Sequence, residues 1–219
     1  MKKVILAVVV MIATVSMSNA QMFVGGGLGV DFSGGKLKGG SATIDAPSTF
    51  SFEFTPKLGF YLSSDFAVGV QVGLSSSSTK TPKEYSYYLS DDMKETTFGW
   101  ELGVFARKNV LGTEKLSLLL EGLIGVGGSK PKTKVGSETT DDDSTFSFGI
   151  SFLPVLEYSL TDKLSLEMSC DFLRLGFSSS TVTDADDSNN KATSTSFGLG
   201  VNAGTLPLSW LNLGIIYKF

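Results

Sequence analysis

The sequence predicts an all-β protein, a closed antiparallel transmembrane β-barrel of eight strands, with ten strands as the alternative. Segments of roughly ten to fifteen residues alternate between apolar and polar positions, which is the period of a β-strand. Long and short connections alternate between these segments, as they do in membrane barrels. The last segment, Leu211–Phe219, carries an apolar stripe that would promote aggregation as a free edge in water. We therefore expect it to pair with the first strand and close the barrel.

Residues 1–20 have the features of a cleavable secretory signal peptide. Lys2 and Lys3 precede an apolar run from Val4 to Val15, and Ser18-Asn19-Ala20 is a small-x-small cleavage site. The apolar run is too short for a membrane-spanning helix, although a retained anchor is the alternative. We expect residues 1–20 to be removed, residues 21–219 to form one barrel domain, and the chain to be exported.

The composition is unusual for a soluble domain and typical of a barrel with a lipid-facing surface. The chain has 25 Gly and 16 Phe, while only 18% of its residues are charged. Its net charge of −4 argues against nucleic acid as a partner. Because Cys170 is the only cysteine, the chain can form no internal disulfide.

The predicted strands are ordered so that long and short connections alternate. The strands are Gln21–Ser33, Ser48–Leu62, Phe66–Ser77, Thr96–Arg107, Leu116–Gly127, Ser144–Leu160, Leu164–Ser178 and a last segment after Lys191. Outer-membrane barrels have short periplasmic turns and long external loops. The pattern therefore predicts four external loops, including 34–47, 78–95 and 128–143, and places both ends of the barrel in the periplasm.

One predicted strand changes face within itself. The apolar stripe of Leu164–Ser178 shifts by one residue between Phe172 and Leu173, which is what a β-bulge does. The bulge would turn Arg174 inward beside Asp171. Facing lipid, an arginine would cost about 2–4 kcal/mol at the bilayer midplane.

The last segment is longer than one membrane crossing. A strand from Thr193 to Phe219 would rise roughly 90 Å, far beyond the bilayer. We expect Leu211–Phe219 to cross the membrane. Thr193–Ala203 would be an extension above the barrel or a separate excursion that is broken near Pro207, and this region is the source of the ten-strand alternative.

Ionisable residues fall on the predicted inward faces of the strands. An eight-stranded barrel is just wide enough inside for side chains, and an isolated buried charge is costly. We therefore expect an ion-pair network that plugs the interior, and the alternative is a narrow gated channel or a proton-linked site. Acids outnumber bases six to four. The residues are Glu53, Lys57, Glu101, Arg107, Glu121, Glu157, Glu167, Asp171, Arg174 and Lys218.

Aromatic residues at the strand ends predict two interfacial girdles, as in membrane barrels. The alternative is that they are core aromatics of a soluble sandwich. The candidate interfacial residues are Phe50, Phe60, Phe66, Phe98, Trp100, Phe146, Tyr158, Tyr217 and Phe219.

The sequence offers little chemistry for catalysis. It contains no His, which removes Ser–His–Asp and Cys–His arrangements and His-based metal sites. The acidic segments Asp141–Asp143 and Asp184–Asn190 could offer oxygen ligands to calcium, but the second lacks the Gly and closing Glu of an EF-hand loop. We expect solvated loop tips, no cofactor, no metal and no enzymatic activity. Tyr85, Tyr87 and Tyr88 are candidate contact residues in the second loop.

Several motifs carry a resemblance to a known family. They are Phe54-Thr-Pro-Lys-Leu-Gly-Phe-Tyr-Leu-Ser-Ser-Asp-Phe-Ala-Val-Gly69, Gly103-Val-Phe-Ala-Arg107, Tyr158-Ser-Leu-Thr-Asp-Lys-Leu-Ser-Leu166 and the ending Leu213-Gly-Ile-Ile-Tyr-Lys-Phe219. With them, residues 21–219 resemble the small outer-membrane β-barrel family of the OmpX and OmpA-transmembrane-domain type, a porin-like β-barrel domain. The resemblance implies a Gram-negative outer-membrane location. It also implies insertion by the barrel-assembly machinery, which recognises a closing strand with a terminal Phe, and no shared catalytic residues.

The expected function follows from this architecture. We expect a small integral outer-membrane protein with an envelope-structural and surface-contact role through four long loops. Its expected partners are outer-membrane lipid, the assembly machinery and a surface ligand bound by the loops. One alternative is a narrow porin-like channel for small solutes. The other is a soluble periplasmic lipid-binding barrel, which would need apolar interior faces.

Overall fold

The structure is a computed structural model that describes residues 21–39, 42–85, 90–170, 173–201 and 211–219. The predicted signal peptide lies outside these residues. Within them, no helix is both long and apolar enough to span a membrane. The strands are β1 (Met22–Ser33), β2 (Lys36–Gly39), β3 (Ala42–Asp45), β4 (Ser48–Ser63), β5 (Phe66–Thr81), β6 (Met93–Gly112), β7 (Leu116–Val135), β8 (Glu138–Asp141), β9 (Ser144–Ser159), β10 (Leu164–Cys170), β11 (Leu173–Thr183), β12 (Lys191–Val201) and β13 (Leu211–Lys218).

Eight of these strands are joined by antiparallel ladders into a ring. β1 pairs with β4, and the order continues through β5, β6, β7, β9, β10 and β13. β13 then pairs back with β1, from Phe23 opposite Lys218 to Leu28 opposite Leu213. The expected pairing of the last segment with the first strand is therefore present. The ring has a turn end with three short connections and a loop end with the longer ones.

β10 and β11 lie one after the other along the same edge of β9. Between the Ser169–Val155 pair and the Leu175–Phe152 pair, the chain advances six residues on this edge and three on β9. The β10–β11 edge therefore has three more residues than β9 over this stretch. Because this number is odd, residues that would face inward face outward after it, as the sequence predicts. The displacement is larger than the single-residue bulge that we expected, and residues 171–172 lie outside the described part.

β12 is an extension at the loop end. Within the described residues it pairs only with β11, from Leu173 opposite Val201 to Thr183 opposite Lys191. Hydroxyl groups meet across this hairpin, and Thr181 Oγ1 lies 3.0 Å from Thr193 Oγ1. Farther from the loop tip, apolar residues meet across the same hairpin, with Phe177 opposite Phe197. Both kinds of cross-strand pair stabilise a ladder. Residues 202–210, where we expected the break near Pro207, lie outside the described part.

Three predicted loops contain strands that the sequence did not indicate. Loop 34–47 holds the hairpin of β2 and β3, which begins with Lys36 opposite Asp45. The other two loops are shorter than predicted. The ladder of β5 and β6 continues to Thr81 opposite Met93, and the ladder of β6 and β7 continues to Met93 opposite Val135. These polar segments lack an apolar stripe, but the ladder hydrogen bonds join backbone groups and do not require one. Much of 78–95 and 128–143 is therefore strand.

The two faces of the ring differ in the manner of a membrane barrel. Large apolar side chains on the outer face are exposed, including Leu28, Leu102, Val104, Ile124 and Ile215. The buried side chains of the inner face include both apolar and charged groups. A water-soluble protein buries its apolar side chains inside, so this outer face is suited to lipid.

Candidate functional site

The candidate site is the charged cluster that fills the turn-end half of the ring. Arg107 on β6 is 2% exposed and lies between two carboxylates. Its Nη1 donates to Glu167 Oε1 at 2.5 Å, and its Nε donates to Glu121 Oε2 at 3.1 Å. Nη2 also donates to Glu121 Oε2. Charge-assisted bonds of this kind are the strong ones, and they fix the planar guanidinium in orientation.

Two lysines complete the cluster. Lys57 Nζ on β4 donates to Glu121 Oε1 at 3.1 Å, and Lys218 Nζ on β13 donates to Glu157 Oε1 at 2.6 Å. β4 and β7 are not neighbours in the ring, and neither are β6 and β10. The Lys57–Glu121 and Arg107–Glu167 pairs therefore cross the interior and connect opposite walls.

An apolar layer packs against the charged cluster. Phe23, Phe105 and Ile216 are almost fully buried, and Tyr61 packs beside them. The Arg107 guanidinium carbon lies 5.4 Å from the centre of the Phe23 ring and 5.1 Å from that of Phe105. Such cation–π contacts add attraction where charges are desolvated.

Phe23 and Phe105 were not among the predicted interior residues. The signal that could have identified Phe105 is its position, because it shares the parity of Glu101 and Arg107 on the same strand. Phe23 and Ile216 likewise alternate with the outward stripes of their strands.

Above the cluster, toward the loop end, the interior opens into a cavity of about 320 Å³. Glu53, Thr55, Gln71 and Glu101 are among its lining residues. Gln71 Nε2 donates to Glu101 Oε1 at 3.0 Å. Below the cluster, a cavity of about 170 Å³ is lined by Arg107, Glu157 and Lys218 among others. Cluster residues thus line the lower cavity, and they lie between the two ends of the ring.

The structure brings together six of the ten predicted interior ionisable residues. They are Lys57, Arg107, Glu121, Glu157, Glu167 and Lys218. Glu53 and Glu101 line the upper cavity instead. Asp171 and the side chain of Arg174 lie outside what the structure describes.

Most of the predicted interfacial aromatics are exposed on the outer face, including Phe50, Phe98, Trp100, Phe146, Tyr158, Tyr217 and Phe219. Phe66 is half-buried. Phe60 differs, because it is only 6% exposed. Its cross-strand neighbours Met22 and Val68 stand on the same face and flank it. Tyr217 and Phe219 contact each other edge to face, with ring centres 5.1 Å apart.

Of the loop contact candidates, Tyr85 is exposed at the end of a short 3-10 helix, Lys83–Tyr85. Tyr87 and Tyr88 lie outside the described residues. In the loop between β11 and β12, the N–H groups of Asp186 and Asp187 donate to Asp184 Oδ1, which holds the pKa of that carboxyl below its usual range. Across the described part of the chain, no group of three or more Cys, Asp or Glu residues is arranged to hold a metal ion.

The ring, its apolar outer face and its charged interior define the class of small outer-membrane β-barrels. The model for the outer membrane protein beta-barrel domain matches residues 5–203. The chain belongs to this family, so the predicted resemblance and the outer-membrane location are both confirmed.

Three solved structures are similar in fold. Neisserial surface protein A is 13% identical with a TM-score of 0.37, and Ail, the attachment invasion locus protein of Yersinia pestis, is 15% identical with a TM-score of 0.36. A major outer membrane protein from Thermus thermophilus is 14% identical with a TM-score of 0.45. Each match covers 92% of this chain and 100% of the other. No curated protein matches the chain by sequence.

Proposed function

We propose that the chain is a closed, eight-stranded transmembrane barrel with a blocked interior, and that it serves the cell envelope as a structural and surface-contact protein. The observation that carries this proposal is the buried Arg107 cluster, whose ion pairs join opposite walls of the ring. Breaking a buried pair leaves an uncompensated charge at a cost of about 3–5 kcal/mol. A cluster of this kind resists displacement, and it supports a plug in preference to an open pore.

A non-catalytic role fits the same residues. The cluster consists of paired carboxylates and cations, and the chain has no His to act as a base near neutral pH. Surface contact would then fall to the four loops at the loop end, where Tyr85 is exposed. Exposed Tyr side chains favour protein interfaces.

Planar-bilayer recording tests the plug. We expect the wild-type protein to show no steady ohmic conductance. The double variant Arg107→Ser with Glu121→Ser replaces two long charged side chains of the cluster with short ones, and we expect it to conduct. Glu101→Gln in the upper cavity serves as the matched control. Steady ohmic conductance of the wild type would overturn the plug and favour a channel.

A narrow channel for small solutes is the second candidate, because a cavity of about 320 Å³ with Glu53 and Glu101 in its lining opens above the cluster. Two carboxylates in the lining would favour cations over anions. Under this alternative, the wild type conducts and Glu101→Gln lowers the preference for cations.

Membrane insertion itself is tested by fractionation and by heat-modifiable gel mobility. We expect the protein to fractionate with the outer membrane and to change its mobility after boiling. Deleting Phe219 is expected to lower the inserted fraction, because the assembly machinery would lose its terminal aromatic residue. A protein that stays soluble and unshifted would contradict the barrel.

The surface-contact role is tested with cells or matrix proteins as the binding target. Exchanging 82–92 for a short Gly-Ser turn should lower binding, while the same exchange of 184–190 serves as the control. Equal binding by the wild type and both variants would contradict contact through the second loop.

A further inference from the structure

Three lysines form a row on the outer face at the loop end. Lys94 on β6 stands directly opposite Lys80 on β5 and directly opposite Lys134 on β7. Directly opposed residues share a face, with Cβ atoms roughly 4.5–5.5 Å apart, and like charges there are destabilising. The row therefore favours an anion that bridges it.

The protein supplies only part of that negative charge. Lys80 Nζ lies 3.2 Å from Asp92 Oδ2. Lys130 and Lys132, on the same face of β7, share one carboxylate, because their Nζ atoms lie 2.6 and 3.1 Å from the two oxygens of Asp141. One aspartate thus serves two lysines.

The middle and the far end of the row have no such partner. Among the described residues, neither Lys94 nor Lys134 forms an ion pair. Glu95 and Glu138 are close in sequence, but they pair with Thr133 and Val135 and so stand on the opposite face. The outer face at this point has an excess of positive charge.

The location of the lysines matches the depth of lipid headgroups. Lys130 stands directly opposite Phe98, which is exposed beside Trp100 at the upper limit of the apolar stripe of β6. Lys94 is four residues farther along β6, which at ~3.3 Å per residue and a tilt of 35–45° is roughly 10 Å higher. The polar layer on each side of a bilayer is roughly 5–8 Å thick, so the lysines extend from the base of this layer at Lys130 to its outer edge at Lys94.

The patch is confined to one side of the ring. The loop-end positions of β11 and β12 carry mainly hydroxyl residues such as Thr181 and Thr193, which pair with each other, and Lys191 is the only lysine in the described residues of these two strands. If the loop end attracted anions only in a general way, its lysines would not need to be concentrated on three neighbouring strands. The lysines of β5, β6 and β7 instead form a compact surface of five ammonium groups.

We propose that Lys80, Lys94, Lys130, Lys132 and Lys134 form a lysine patch that binds the phosphate groups of an outer-leaflet glycolipid of the lipid A type. The inference rests on the proposed function, because it requires the ring to span the membrane with its loops outside. The phosphates bridge the row of Lys80, Lys94 and Lys134, while the acyl chains lie against the apolar face below. Basic residues at a membrane surface attract anionic headgroups in this way.

The test measures the affinity of the full-length, folded protein for diphosphorylated lipid A by native mass spectrometry from detergent. The row variant combines Lys80→Gln, Lys94→Gln and Lys134→Gln. The control variant combines Lys36→Gln, Lys38→Gln and Lys191→Gln, which removes the same charge from other loop-end positions. All six side chains are exposed, so both variants should fold. Lipid A without phosphates and free inorganic phosphate serve as comparison ligands.

We expect the row variant to bind on the order of a hundredfold more weakly, and the control to bind like the wild type. The wild type should bind lipid A without phosphates as weakly as the row variant binds diphosphorylated lipid A. Equal losses in both variants, or tight binding of the dephosphorylated lipid, would overturn the patch. Inorganic phosphate that displaces lipid A at equal concentration would overturn a lipid as the ligand.

Heat-modifiable mobility is read on every preparation, so that the two levels of the proposal fail separately. A wild-type protein that never shifts overturns the proposed function, and the inference with it. A protein that shifts normally, and whose row variant still binds lipid A like the wild type, overturns the inference alone.

Discussion

The turn-end and loop-end halves of the ring interior use glycine for different purposes. At the turn end, a Cβ on Gly59 would overlap the ring of Phe23, and one on Gly69 would overlap the ring of Phe105. At the loop end, Gly73 and Gly127 line a cavity of about 320 Å³. Glycine makes room in both halves, but large side chains fill that room only at the turn end. Packing stability is therefore concentrated in one half of the ring.

The charges follow the same division. At the turn end, Arg107 is bonded to Glu121 and Glu167, and all three side chains are at most 6% exposed. At the loop end, Glu101 accepts a hydrogen bond from the neutral amide of Gln71 beside an open cavity. A charge at the turn end depends on its partners, whereas water can reach a charge at the loop end.

Removing the central cation, Arg107, should give the largest difference between the two halves in the loss of unfolding free energy. Arg107→Met leaves Glu121 and Glu167 buried without their shared partner, so we expect the free energy of unfolding to fall by about 3–5 kcal/mol. Glu101→Gln at the loop end should change it by less than about 1 kcal/mol. Urea titration of the folded protein in lipid vesicles, followed by gel mobility, measures both. Equal losses would contradict the division.

Adding one methyl group to each half should give a smaller difference in the loss of unfolding free energy. Gly59→Ala forces a Cβ against Phe23, and overpacking of this kind costs about 1–3 kcal/mol. Gly125→Ala at the loop end is the matched control, because its Cβ would lie 3.4 Å from the nearest atom, the carbonyl oxygen of Leu102. The same urea titration applies.

A second substitution checks that the Phe23 ring is the cause. Combining Gly59→Ala with Phe23→Leu should cost less than the sum of the two single changes, because the shortened side chain leaves room for the methyl group. Strictly additive losses would show that Gly59 is required for another reason.

The smallest effect concerns a hydroxyl group in the packed half. Ser165 is fully buried on β10, and its Oγ has no hydrogen-bond partner among the described residues. Removing an unsatisfied buried polar group is neutral or stabilising, so Ser165→Ala should raise the free energy of unfolding by at most about 1 kcal/mol. A clear loss of stability in the urea titration would mean that the hydroxyl holds a structural water.

The alternation of single strands was enough to predict the wall of the ring. The outward stripes of β5 and β6, and the alternation of short and long connections, required only local sequence. The pairing of β13 with β1 followed from the apolar stripe of the last segment, which could not remain an exposed edge.

The partners inside the ring could not be predicted in the same way. Arg107 and Glu167 are far apart in sequence and meet across non-adjacent strands, so their contact depends on the stagger of the whole ring. The three-residue surplus between β10 and β11 changes that stagger, and the sequence indicated only that the face shifts. The loop-end extensions of β5, β6 and β7 were not predicted, because their hydroxyl and lysine side chains do not produce an alternation of apolar and polar residues.

The ladder between β1 and β13 has a consequence for the order of events during folding. Its partners, such as Phe23 and Lys218, are 195 residues apart in sequence, so this ladder cannot form until β13 has been synthesised. Until then, both strands keep an unpaired edge with an apolar face, which is the form most prone to aggregate. Bringing such distant segments together is also slow. The ring therefore closes late in folding, and the pairing of β13 with β1 covers both of these edges in one step.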